Sequence, residues 1–370
     1  MIYLDYAANT PVDEEVLATF NEVTRKYIAN PNSSHKLGKL AKDKIDEAST
    51  LVANYFKTKK ENVIYTSGSS ESNNLVIKGV AERYKNKGNH IIISCIEHSS
   101  VVAPVNYLSS LGYDVSIISL DENGTINLEE LKQTINDKTI LVSICSVDSE
   151  LGTIQPIEEI AKIVSEYPNC IFHTDATQAI GKVEVDYSNV DFITFAPHKF
   201  FGLNGFGALI NRNNITINPL IHGGKSTTVF RSGTPVTANV VSLAKALELA
   251  TGNLTSRYEY ISKLNNKLRE ELSKLDNVHI NSPKHSIPNT LNISLIGKSN
   301  KEVIEKLQEE DIYLSTTTAC SIGDLPSKAV LAITGNEEYA KNTIRISMSH
   351  LTTEEEIDTF INELKKALNK

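Results

Sequence analysis

Three stretches of this 370-residue sequence put reactive side chains where an α/β sheet offers them to a ligand, at the carboxyl ends of its strands. The apolar run Cys170-Ile171-Phe172-His173 leads to Asp175, whose carboxylate could face a cationic ring nitrogen, as an electron sink requires. An aspartate there could equally cap a helix. Ile193-Thr194-Phe195 closes on Ala196-Pro197-His198-Lys199. A lysine held at the end of a buried strand loses its proton more readily than an exposed one, and the neutral amine is the form that makes an imine. Taken alone, a solvated surface lysine fits as well. Thr66-Ser67-Gly68-Ser69-Ser70-Glu71-Ser72-Asn73-Asn74 follows Val63-Ile64-Tyr65 and leads into Leu75-Val76-Ile77. Glycine and hydroxyl residues at a helix N-terminus expose N–H groups whose dipole favours a phosphate, although a simply capped turn reads equally. With no G-K-[ST] following, it is not a P-loop.

Two further residues carry chemistry. Cys320 lies in Leu314-Ser315-Thr316-Thr317-Thr318-Ala319-Cys320-Ser321-Ile322-Gly323-Asp324-Leu325, small and polar with no helical or alternating pattern. That texture predicts a loop, from which a thiol could reach a bound molecule and swing out to a partner; an incidental surface cysteine is the alternative. Arg345 sits in Thr343-Ile344-Arg345-Ile346-Ser347, a half-buried strand pattern. Its fork matches a carboxylate with two bonds, supplied by a ligand or by an internal salt bridge. Cys95, Cys145 and Cys170 lie in or beside apolar runs and read as buried, inert thiols. The cysteines are widely spaced with no C-x-x-C pair, so neither a metal site nor a disulfide framework is indicated.

The elements that must hold these residues alternate. Short apolar runs at Val63-Tyr65, His90-Ser94, Val115-Ile118, Ile140-Ile144 and Cys170-His173, with helical patterns between most of them, predict an α/β fold with a mainly parallel sheet. Ile193-Ala196 and Gly207-Ile210 add a hairpin-like pair, giving a mixed sheet of about seven strands. After Thr251-Gly252-Asn253 the pattern becomes α+β: a charged helix over Tyr258 to Leu275, strands at Thr290-Ser294 and Thr343-Ser347, and a last helix from Glu354 to Leu368 capped by Thr352 or Thr353. Length suggests two domains. A net charge of -8 argues against direct, sequence-independent nucleic-acid binding, and no apolar run is long enough for a membrane helix. The N-terminus lacks the pattern of a signal peptide, so a cytoplasmic protein is expected.

Taken in order, Tyr3-Leu4-Asp5-Tyr6-Ala7-Ala8, the Thr66 to Asn74 loop, Glu97-His98, His173-Thr174-Asp175-Ala176-Thr177-Gln178, His198-Lys199, Arg231-Ser232-Gly233-Thr234 and Ile344-Arg345-Ile346-Ser347 resemble the motifs of cysteine desulfurases. These belong to the class V aminotransferase group of pyridoxal-phosphate enzymes, with the aspartate-aminotransferase type of fold. The resemblance implies a large cofactor domain over 12–252 and a small domain from 1–11 and 253–370 carrying the Cys320 loop. It implies that Lys199 binds pyridoxal 5′-phosphate as a Schiff base, Asp175 pairs with the ring nitrogen, Gln178 and Ser149 meet the ring hydroxyl, and His98 stacks on the ring and moves protons. Ser69, Ser70 and His198 would hold the phosphate, with Thr234 reaching the phosphate of a neighbouring subunit, so a homodimer with shared active sites is expected. Arg345, with Asn30 and Ser149, would bind L-cysteine, and Cys320 would take its sulfur as a persulfide for a protein acceptor, a scaffold or a thiolation enzyme.

The chain departs from the family pattern in three places. Asp148-Ser149-Glu150-Leu151-Gly152 stands for Asn-Asn-Glu-hydrophobic-Gly, and the shorter Ser149 would make its contacts through water. Ala196 replaces a phosphate-binding serine, a loss Thr194 could make good. Thr316-Thr317-Thr318 replaces Ser-Gly-Ser before Ala319-Cys320, which stiffens the approach to the thiol. Other readings within the fold group, an aminotransferase or a selenocysteine or cysteine-sulfoxide lyase, would keep Lys199 and Asp175 without depending on Cys320. A weakly active sulfur-carrier paralogue is a third reading.

Overall fold

The computed structural model describes residues 1–316 and 326–369. Its strands are β1 (Ile2–Tyr3), β2 (Val63–Thr66), β3 (His90–Ser94), β4 (Asp114–Ile118), β5 (Thr139–Ser143), β6 (Ile171–Asp175), β7 (Phe192–Phe195), β8 (Gly207–Asn211), β9 (Val278–Ile280), β10 (Thr290–Leu295), β11 (Ile312–Tyr313) and β12 (Thr343–Ser347). Seven of them form the expected mixed sheet in the order β2-β8-β7-β6-β5-β3-β4. β8 runs antiparallel to both its neighbours, β2 and β7, and every other pairing is parallel.

The apolar runs have no polar alternation because helices cover both faces of the sheet. Side chains still alternate. Ile92, Val142, Phe172 and Ile193 enter one core, whereas Ile91, Ile93, Leu141, Ile171 and Phe192 enter the core on the other face. A third core lies around the β12-β10-β9 sheet and the helices Leu254–Leu272 and Glu354–Asn369. Leu4 is buried in that third core, and β1 pairs in parallel with β11. The last helix opens with a capping box, Thr353 N–H donating to Glu356 and Glu356 N–H to the Thr353 hydroxyl. Among the described residues no helix is long and apolar enough to cross a membrane.

Two glycines meet where β2 turns into the next helix. Gly68, with φ 153°, carries the chain from β2 into the helix Ser69–Tyr84, a conformation open essentially to glycine. Gly207, the first residue of β8, packs against it so closely that an added Cβ would lie 2.6 Å from the Gly68 Cα. Backbone on both sides leaves nothing to give way. Gly207→Ala should therefore destabilise the protein by about 2 kcal/mol or more, read from denaturant melts. Gly224→Ala, whose methyl meets nothing within 4 Å, should change stability by less than about 0.5 kcal/mol.

Candidate active site

β6 and β7 are parallel neighbours with Asp175 paired to Thr194, so their carboxyl ends open at the same edge of the sheet. Asp175 ends β6, and a short helical turn, Pro197–Lys199, follows β7. Both residues line one cavity of about 290 Å³, the size at which small-ligand pockets begin. Lys199 Nζ donates to the carbonyls of Ala7 (2.9 Å) and Ala8 (2.6 Å), which brings the N-terminal segment over the sheet edge. Gln178, Ser149, His98, His198, Ser69 and Ser70 also line the cavity, so the structure brings together most of the residues singled out from the sequence.

A chain of hydrogen bonds runs along the cavity's floor. Asp175 Oδ1 accepts from the Thr177 N–H, and Oδ2 accepts from Asn73 Nδ2 at 2.7 Å. Asn73 Nδ2 also donates to Ser100 Oγ, whose hydroxyl lies 2.8 Å from His98 Nδ1. The Ser100 N–H donates to that same nitrogen. A backbone N–H can only donate, so His98 Nδ1 is an acceptor and the neutral ring carries its proton on Nε2. Burial lowers the His98 pKa, against Asp175 and with help from Lys199, which keeps the imidazole neutral.

At one end of the cavity the helix Ser69–Tyr84 presents its N-terminus, and Ser69 Oγ is 2.7 Å from Thr177 Oγ1. His198 Nδ1 is buried with no partner among the described residues. Burial, then Lys199 and Lys182, push the His198 pKa down to about 4, so this ring is neutral and can donate to an anion. Helix N-terminus, two serines and an uncommitted imidazole fit a phosphate. An amine and a carboxylate in the same cavity fit an aromatic aldehyde that forms an imine and carries a basic ring nitrogen.

Other residues sit elsewhere than the sequence suggested. Arg345, 1% exposed, does not line the cavity: it forms an ion pair with Asp5 Oδ1 at 2.8 Å and donates to the Ser149 carbonyl at 3.1 Å. Asn30 is exposed in the connection before the helix Lys36–Tyr55, its Oδ1 accepting from the Asn32 N–H, away from the cavity wall. Thr234 is exposed beside a separate depression shared with Arg231, which pairs with Glu71 at 2.9 Å. Thr194 does not replace the missing phosphate ligand, because its hydroxyl is buried against His173 Nε2 at 3.0 Å. Of the three thiols expected to be buried, only Cys145 is; Cys95 and Cys170 are half-buried. Burial pushes the Cys95 thiol up to about 11, so it is inert all the same. Cys320, with Thr317 and Thr318, lies outside the described residues.

The supporting network was not visible in the motifs. Asn73 falls one helical turn after Ser69, so it faces the same side, but only the crossing of three elements reveals its bridge to Asp175 and Ser100. Glu97 accepts from Ser94 Oγ and from the Cys145 N–H, while its second oxygen is buried without a partner among the described residues. Lys182 is buried and donates to Gln178 Oε1.

A profile of the aminotransferase class V family matches residues 2–360. A protein of Dictyoglomus turgidum named cysteine desulfurase IscS is 36% identical over 374 residues, spanning 100% of this chain and 95% of the relative. One of the same name from Buchnera aphidicola subsp. Baizongia pistaciae is 37% identical, covering 100% and 93%. Among solved structures, a NifS-like protein superposes with a TM-score of 0.93 at 34% identity, covering 100% of this chain and 99% of the other. One described as SspA in complex with cysteine gives 0.83 at 31% identity, covering 95% and 100%.

Burial raises the Glu97 carboxyl from 4.5 to about 8, so the folded chain keeps a proton that the unfolded chain releases. The stability this group contributes is full below pH 4.5 and is lost as pH rises towards 8. Glu97→Gln, which imitates the protonated acid, should gain on the parent protein progressively across that window. Denaturant melts at several pH values test this; a stability difference that does not change with pH counts against a protonated Glu97.

Proposed function

The chain belongs to the class V aminotransferase family, and from that premise we propose that it is a pyridoxal-phosphate-dependent cysteine desulfurase served by Lys199, His98 and Cys320. It converts L-cysteine to L-alanine and retains the sulfur as a persulfide. The observation that carries this reading is the opening of Lys199, Asp175 and the N-terminus of the helix Ser69–Tyr84 into one cavity. Lys199 holds the cofactor, Asp175 its ring nitrogen, Gln178 its ring hydroxyl, and Ser69, Ser70 and His198 its phosphate. When bound, the cofactor supplies an electron sink for the bond to the substrate α-carbon.

The remaining steps belong to the chain. The Lys199 amine takes the α-proton. With Nδ1 committed to Ser100, His98 offers a proton from Nε2 and so acts first as an acid. Arg345 binds the substrate's α-carboxylate, which takes the place of Asp5 on the guanidinium. The Cys320 thiolate attacks the substrate sulfur: an S–S bond forms, the C–S bond breaks, its electron pair is protonated at carbon, and alanine leaves. Val229 (66% exposed) and Val236 (53%) flank Thr234 in the sequence, and the carbonyl of Ile221 (42%) accepts from the Ser232 N–H of the same stretch. They support a homodimer in which Thr234 reaches the partner's phosphate site. A cytoplasmic protein acceptor, a scaffold for iron-sulfur clusters or a thiolation enzyme, then takes the sulfur.

Reduction of the cofactor-loaded protein with borohydride should leave the added mass on the Lys199 peptide. Incubation with L-cysteine should add one sulfur to the Cys320 peptide, and Cys320→Ala should keep cofactor absorbance while losing desulfuration by at least about 10³-fold. Persulfide release that survives Cys320→Ala would sink the nucleophile assignment.

A further inference from the structure

Lys182 is a buried lysine for which the desulfuration steps have no use. It is 9% exposed and sits just after Gly181, whose φ of 76° and tight packing against Phe200 and Ala250 fix the local backbone. Its Nζ donates to Gln178 Oε1. The other end of that amide, Nε2, donates at 2.9 Å to the Ala7 carbonyl, which also accepts from Lys199. A lysine ammonium can only donate and a carbonyl can only accept, so the two together leave the Gln178 amide one orientation. The second Nε2 hydrogen remains for a ligand oxygen in the cavity that Gln178 lines.

We propose that Lys182 is a positioning residue, which locks Gln178 so that it presents an N–H, and never its carbonyl, to the ring oxygen of the cofactor. This rests on reading Gln178 as the partner of that oxygen. Burial, then the nearby Lys199 and Arg345, lowers the Lys182 pKa to about 7. The neutral amine can still donate but can also accept, so in that state Lys182 still satisfies the Gln178 carbonyl while the acceptor-only Ala7 carbonyl excludes the flipped amide. Without Lys182 the Gln178 carbonyl would be buried and unpaired, which frees the amide to swing away from the cavity.

The test is a double-mutant cycle on the cofactor dissociation constant, measured from absorbance after dialysis, with single-turnover rates alongside. Lys182→Met relieves the burial of an ionisable group but leaves the Gln178 carbonyl without its donor, so it should fold with a melting temperature within about 5 °C of the parent. It should weaken cofactor binding by about tenfold, the worth of one hydrogen bond. Lys182→Arg, which keeps a donor, should recover most of that loss. In a Gln178→Leu background Lys182→Met should cost nothing further, because the residue it positions is gone. Equal losses in both backgrounds would mean that Lys182 acts by another route, and no loss in the parent background would mean that it positions nothing; either overturns the proposal. Borohydride labelling of Lys199 in the parent protein is read separately. Its failure would remove the cofactor reading and this proposal with it.

Discussion

The Ala7 carbonyl is the point on which the site is assembled. It accepts from Lys199 and from Gln178, and its own residue's N–H donates to Ser347 on β12. Two residues earlier, Asp5 pairs with Arg345 and accepts from Ser315. One short N-terminal stretch therefore ties the edge of the seven-stranded sheet to the third core. Breaking a buried ion pair by removing one partner costs about 3–5 kcal/mol, since it leaves a charge without compensation. Asp5 is thus a structural anchor.

Charge around the cavity is arranged by burial as much as by partners. Glu97 and Asp148 are held neutral or nearly so, their carboxyls raised to about 8 and about 7, and His98 and His198 are kept unprotonated. Asp175 lies among them with each carboxylate oxygen accepting from an N–H donor, one from the Thr177 backbone and one from the Asn73 side chain.

The sequence displayed the chemistry better than its wiring. Strand runs, a lysine and an aspartate at strand ends, and a glycine-hydroxyl loop before a helix are local patterns, and each has its expected place in the sheet. Thr194 shows where local reading stops. Its position beside the missing phosphate ligand was visible, but its hydroxyl is taken up by His173 on the neighbouring strand β6, a contact no local pattern shows. Asn73, Lys182 and Asp5 are polar residues of ordinary appearance. Asn73 and Asp5 act through contacts across 102 and 340 positions of sequence, which no periodicity encodes, and Lys182 meets Gln178 four positions away within a turn rather than a helix.

The reversed direction of β8 bears on the order in which the protein can be made. β2, which leads through Gly68 into the helix Ser69–Tyr84, pairs among the described residues only with β8, with Val63 opposite Ile210. On the ribosome β2 and its helix emerge long before β8, and the Gly68 turn has nothing to rest against until Gly207 arrives. Long-range pairing of this kind is slow and leaves strand edges exposed meanwhile. The turn at the end of β2 is therefore set only once β8, the strand that follows Lys199, has joined the sheet.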